Sequence, residues 1–204
     1  MTSPQDDMDS NSGSTRRCLR AWQWTRQDQP GSEYCELREF DGGWELAGSV
    51  VVAEEGVPFL AEYTVTCDSR WMTREARILM HGGDAPRSLV LRVDEQQRWW
   101  RGDEEVAQFR GCTDVDLGFT PSTNTLPIRR LSLPVGQSSD VTAAWVRMPD
   151  LALLPLPQRY TRLSPTRFRY ESRGGSFVAE LETDELGLVT RYPPAWERVA
   201  VTSR

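Results

Sequence analysis

Two aspartates at a spacing of two, Asp114 and Asp116, open the segment of the chain that concentrates the most chemistry. Side chains alternate along a strand, so both carboxylates share one face while Val115, Leu117 and Phe119 take the other. Carboxylates that close could divide acid and base work, as in glycoside hydrolysis, or hold a divalent cation. They could equally pair with the neighbouring Arg129 and Arg130, or cap the loop between. That loop, Thr120-Pro121-Ser122-Thr123-Asn124-Thr125, sets five hydroxyl or amide side chains around one proline. Thr123 and Asn124 there suit sugar hydroxyls. The same groups can bond their own backbone, with Asn124 in a left-handed conformation.

Other residues could join such a site. Asp68 and Arg74 flank Trp71 where a strand meets a turn. They could orient a polar head group or form a bidentate bridge that holds the corner. Arg167 and Arg169, with Arg129 and Arg130, could make a cationic rim for a phosphate or carboxylate, or simply a charged strand face. Eight tryptophans are many for 204 residues. Trp22 and Trp24 share a strand face, whereas the adjacent Trp99 and Trp100 point to opposite sides. Their rings suit sugar stacking, the walls of an apolar pocket, or the filling of a wide barrel. The single histidine, His81, stands beside Gly82-Gly83 as a solvated turn residue.

The elements that must position these groups are strands. Val57, Phe59, Ala61, Tyr63, Val65 and Cys67 alternate with more polar residues, the period of a half-buried strand. The same period returns around Leu89–Val93, Asp114–Phe119, Arg167–Tyr170 and Phe177–Leu181. Further strands are expected at 18–25, 34–40, 44–53, 74–80, 98–101, 106–110, 141–148, 158–163 and 188–192. Asp41-Gly42-Gly43, Gly82-Gly83-Asp84 and Gly174-Gly175 are hairpin signals. Helical spacing is confined to short pieces around 127–131 and 149–154, the second stopped by Pro155 and Pro157. The fold class expected is all-β and mostly antiparallel: one large, many-stranded barrel or bent half-barrel with one or two short helices. It forms a single domain over 16–204 behind a disordered tail, 1–15.

The bulk properties narrow the function classes. A net charge of −6 disfavours nucleic acid as a partner. All the positive charge is arginine, as GC-rich coding would produce. Cys18, Cys35, Cys67 and Cys112 form no C-x-x-C pair, which argues for buried free thiols, with no metal site and no cofactor. No secretory signal or apolar span is present, so a soluble cytoplasmic protein is expected. There is no G-x-S-x-G, P-loop, dinucleotide fingerprint or H-E-x-x-H, so no catalytic residue is named.

The run from Asp114-Val115-Asp116-Leu117 through Thr120-Pro121-Ser122-Thr123-Asn124-Thr125-Leu126-Pro127-Ile128-Arg129-Arg130-Leu131 resembles the signature of a bacterial glycolipid-binding family. Tyr63-x-Val65-x-Cys67-Asp68-x-x-Trp71-x-x-Arg74 fits the same pattern. So do Gln158-x-Tyr160-Thr161, Phe168-x-Tyr170, Asp184-x-x-Gly187 and Tyr192-Pro193. The likeness covers about Trp22 to Trp196. It implies an incompletely closed β-barrel, similar in shape to bacterial lipoprotein carriers whose concave face holds acyl chains. It supplies no catalytic residues.

The function expected is non-catalytic binding of a glycolipid or other amphipathic small molecule. An apolar groove would hold the chain, and a polar mouth near Asp114 and Asp116 the head group. The contact residues expected are Asp68, Trp71, Arg74, Trp99, Asp114, Asp116, Thr123, Asn124, Arg129, Arg130, Tyr160, Arg169 and Tyr170. Two alternatives stand beside it. One is an enzyme acting on a small or sugar-containing substrate through Asp114 and Asp116; the other is a protein-interaction module. Oligomeric state is not legible.

Overall fold

The computed structural model describes residues 15–83 and 85–202, so the tail expectation lies, but for Thr15, outside the described residues. Fifteen strands form one continuous sheet. The first eight are β1 (Arg17–Arg26), β2 (Gly31–Phe40), β3 (Gly43–Glu54), β4 (Val57–Asp68), β5 (Thr73–His81), β6 (Arg87–Val93), β7 (Trp99–Arg101) and β8 (Glu104–Glu105). After β9 (Asp114–Leu117) comes the helix α1 (Thr125–Leu131). The rest are β10 (Ser138–Val146), β11 (Leu153–Ser164), β12 (Arg167–Ser172), β13 (Phe177–Thr183), β14 (Val189–Tyr192) and β15 (Trp196–Val201).

The order across the sheet is β8 to β1, then β15 down to β9. Two antiparallel meanders are thus joined where the first strand pairs with the last, Trp22 opposite Val201 and Arg26 opposite Trp196. β8 and β9 stay apart at the two edges, so the barrel does not close and the bent half-barrel is the form adopted. β9 is the exception to the antiparallel rule. It runs parallel to β10, Asp114 opposite Ala143 and Leu117 opposite Val146. A parallel return needs a crossover, and α1 with the 3-10 turn Ser122–Asn124 supplies it.

That crossover fills the concave side. Leu117, Phe119 and Leu126 are fully buried against Trp22, Trp24, Leu37, Leu46, Val65 and Trp99. Ile128, on the same helix, packs into a second cluster with Tyr160, Phe168, Tyr170 and Leu181. The expected open apolar groove is therefore occupied by the chain's own plug. Burial at roughly 25 cal/mol per Å² favours filling such a surface over leaving it wet.

Local rules account for most departures from the expected elements. Residues 149–154 form no helix, and Pro155 and Pro157 lie within β11 instead of ending one. β12 begins to pair only at Gln158 opposite Ser172, so 153–157 is an open edge on that side, where a proline costs no ladder bond. Residues 107–109 make a 3-10 turn, not a strand. Asn124 is right-handed, at φ −61°, as part of the 3-10 entrance to α1. Pro127 sits in the first turn of α1, where its missing N–H loses no helical bond. Cys35, Cys67 and Cys112 are buried free thiols, whereas Cys18 is exposed.

Candidate functional site

The two carboxylates of β9 have different fates. Asp114 is buried at 1% exposure and takes a two-pronged bond from Arg130, 2.9 Å from Nε and 2.5 Å from Nη2. It is a structural ion pair. Asp116 lines a cleft of about 350 Å³ whose walls include Trp145, Tyr170, Phe177, Tyr192 and Trp196. Its Oδ2 accepts a 2.6 Å bond from the Gln158 amide, while its Oδ1 has no protein partner among the described residues. Burial pushes the Asp116 carboxyl up to about 6, and the Gln158 bond holds it from rising further.

The aromatic wall is built from neighbouring strands of the second meander. Tyr170 on β12 lies 6.2 Å from Tyr192 on β14 and 6.0 Å from Phe177 on β13, both edge to face. Trp145 on β10 lies over Gly118. A Cβ there would come within 2.5 Å of the indole Nε1, so only glycine lets the ring lie against the end of β9. We expect Gly118→Ala to cost about 1–3 kcal/mol in urea denaturation through overpacking. A change under about 0.5 kcal/mol would mean the indole has another place to go.

Behind the cleft stands a buried polar network that periodicity did not single out. Thr120 lines the cleft, and its hydroxyl donates to Glu33 Oε1 at 2.7 Å. Tyr63 donates to the same oxygen at 2.5 Å and meets Ser122 Oγ at 2.6 Å. The Tyr63 ring lies across Gly48, where a Cβ would come within 2.6 Å of it. Glu33 is 1% exposed, and its Oε2 is buried without a partner among the described residues. Burial pushes its carboxyl up to about 8 against the pull of Tyr63 and Thr120, so it stands protonated at neutral pH. The network ties the plug to β2 and β4. Glu33 shares the inward face of Cys35 and Leu37, and extending the alternation two residues back would have found it.

Of the contact residues expected, Asp116, Asn124 and Tyr170 meet in the cleft. Tyr160 stands behind them, donating to Asn124 Oδ1 at 2.9 Å. The others are placed elsewhere. Asp68 bridges Arg74 at 2.8 Å and accepts from the N–H groups of Arg70 and Met72, which makes it the corner brace. Trp71 stacks on Trp44 at 5.1 Å, and the Arg129 guanidinium lies 5.2 Å from its ring centroid, in a smaller depression. Trp99 is core, its Nε1 donating to the Cys112 carbonyl. Thr123 Oγ1 accepts from the Leu117 N–H at 3.2 Å. The expected arginine rim does not assemble. Arg167 pairs with Glu180, Arg169 with Glu171 and Arg130 with Asp114, while Arg129 lies over Trp71, so the four guanidinium groups are engaged at separate places.

A larger depression of about 710 Å³ lies beside β10–β12. Its charged walls are self-paired through Arg130 with Asp114 and Arg159 with Asp140. The Asp116 cleft combines aromatic faces with a carboxylate oxygen left open among the described residues.

The profile of a family described as "Putative glycolipid-binding" matches residues 21–198, nearly the whole strand framework. The chain belongs to that family. A crystal structure of a DUF1089-family protein from Pseudomonas aeruginosa is 35% identical, covers 82% of this chain and 92% of its own, and superposes with a TM-score of 0.75. A β-barrel-like DUF1849 protein from Brucella abortus, at 9% identity and a TM-score of 0.51 over 92% of this chain and 97% of its own, shares the fold alone. No curated protein matches. Among the described residues no helix is long and apolar enough to cross a membrane.

Proposed function

We propose that this protein binds a glycolipid or related amphiphile by its sugar head, in the cleft beneath Trp145, Tyr170 and Tyr192. One observation carries the reading: Asp116 presents an unpartnered oxygen among aromatic faces in a cleft of about 350 Å³. Ring faces stack on the apolar side of a sugar, and a carboxylate accepts from its hydroxyls. The cleft is at the lower end of small-ligand pockets, so it suits one or two sugar rings and leaves the acyl chains outside. The family description points to the same ligand class.

Native mass spectrometry and lipid extraction of the purified protein test the reading, together with fluorescence titration by an alkyl glycoside. Saturable binding is expected, and no bound lipid with no saturable signal would defeat it. Trp145→Ala and Asp116→Asn are each expected to weaken affinity about tenfold, on the scale of a lost stacking face or charge-assisted bond. Melting temperature should move by only a few degrees, since both side chains border the cleft. Unchanged affinity in both variants would place the ligand elsewhere.

A second reading is favoured by the Asp116 carboxyl itself, poised at about 6 in a cleft, where an acid catalyst would be. It expects slow hydrolysis of nitrophenyl glycosides that Asp116→Asn abolishes. No turnover by the wild-type protein would dismiss it.

A further inference from the structure

Four charged side chains line the cleft: Arg26, Asp28, Asp116 and Arg173. Arg26 is already neutralised. Its Nε and Nη2 reach the two oxygens of Asp28, each at 3.0 Å, and Glu54 lies 3.5 Å from its Nη1. Arg173 is different. In a chain with 30 acidic and 24 basic side chains, a guanidinium finds a carboxylate easily. Arg167 and Arg169 on the preceding strand do so. Arg173 has no ion pair among the described residues and lies over the Trp145 indole, 5.5 Å from the ring centroid. Stacking satisfies the face of a guanidinium and leaves its N–H edge free.

The backbone places it there. Arg173, Gly174 and Gly175 have φ of 52°, 65° and 86°, three left-handed residues in succession between β12 and β13. An arginine resists that conformation by about 1 kcal/mol, so the turn is held by its surroundings. The effect is to fold the guanidinium over the cleft wall. It lines the cleft together with Tyr170 and Tyr192.

We propose that the cleft selects a sugar bearing an anionic substituent, a carboxylate, phosphate or sulfate, with Arg173 as the residue that reads the charge. The proposal rests on the reading of the cleft as a sugar site and adds the chemistry of the head group. The sugar ring stacks on the aromatic wall. A hydroxyl donates to Asp116 Oδ1, and the Asn124 amide, whose Nδ2 gives one bond to the Pro121 carbonyl, has a second N–H to offer. The anionic group meets the free edge of Arg173 in the forked geometry that carboxylates and phosphates accept. Free sugar acids and lipid-linked ones share this chemistry.

The test compares octyl β-glucoside with octyl β-glucuronide below their micelle concentrations, by calorimetric titration of the full-length protein. The glucuronide is expected to bind about tenfold tighter or more, a margin that shrinks as salt is raised. Arg173→Gln should remove the margin, and Arg169→Gln, on the preceding strand and outside the cleft, should keep it. Equal binding of the two glycosides, or a margin that survives in Arg173→Gln, overturns the proposal and leaves the sugar cleft standing. No binding of either overturns both. Methyl β-glucuronide competing as well as the octyl compound supports the charge reading and transfers it to soluble sugars. Inorganic phosphate competing equally would overturn the sugar part.

Discussion

Asp114→Ala is expected to lower stability by about 3–5 kcal/mol, the cost of leaving a buried charge without its partner. The Asp114 side chain is 2% exposed and that of Arg130 15%, so the aspartate is held away from solvent and the arginine is mostly covered. The Thr113 hydroxyl, 3.0 Å from both Asp114 Oδ2 and Arg130 Nη2, completes the pair but carries no charge to replace the aspartate. The pair staples α1 to β9, and with it the plug that fills the concave side. For a chain of this length the loss corresponds to a fall in melting temperature on the order of 10 °C. Urea denaturation of Asp114→Ala, Arg130→Ala and the double variant makes the check. The double variant should recover part of the single loss, because it removes both charges. A single-variant cost below about 1 kcal/mol would show that Arg130 finds another acceptor.

The second large effect concerns pH. The Glu33 carboxyl moves from an ordinary 4.5 to about 8 on folding. Between those values the folded protein keeps a proton that the unfolded chain has released. Stability from this group is therefore full below about 4.5 and falls as pH rises, by up to about 1.4 kcal/mol per unit, until about 8. Asp116, raised from 3.8 to about 6, adds a contribution of the same sign over a narrower window at lower pH. Glu33→Gln keeps the size of the side chain and an oxygen for Tyr63 and Thr120, but cannot ionise. Its urea midpoint should be nearly flat between pH 6.5 and 8, where the wild-type midpoint declines. Parallel curves for the two proteins would show that Glu33 ionises without consequence. Because Glu33 holds the plug through Thr120 and Tyr63, the same titration should loosen the back of the cleft at alkaline pH.

Much of this was readable in the chain, for a physical reason. Alternation of buried and exposed side chains is a property of a single extended strand. Residues 57–67 therefore announced β4, and the turn residues between such runs announced the hairpins. The same reasoning put Asp114 and Asp116 on one strand and Pro127 at the start of a short helix. The half-barrel follows from strand number, since an open sheet of fifteen would expose its whole concave face.

The tertiary structure decided the rest. Two aspartates with identical local patterns parted because one found Arg130 and the other Gln158, 16 and 42 residues away. Glu33 became a neutral acid only because Thr120 and Tyr63 were folded over it. Trp145, Arg173 and Tyr192 form one cleft with Asp116 because β10 to β14 lie side by side in the second meander and β9 docks parallel to β10. Periodicity reports which face of a strand is apolar. It carries no information on which distant strand will lie opposite, and the open oxygen of Asp116 and the free edge of Arg173 exist only through that pairing.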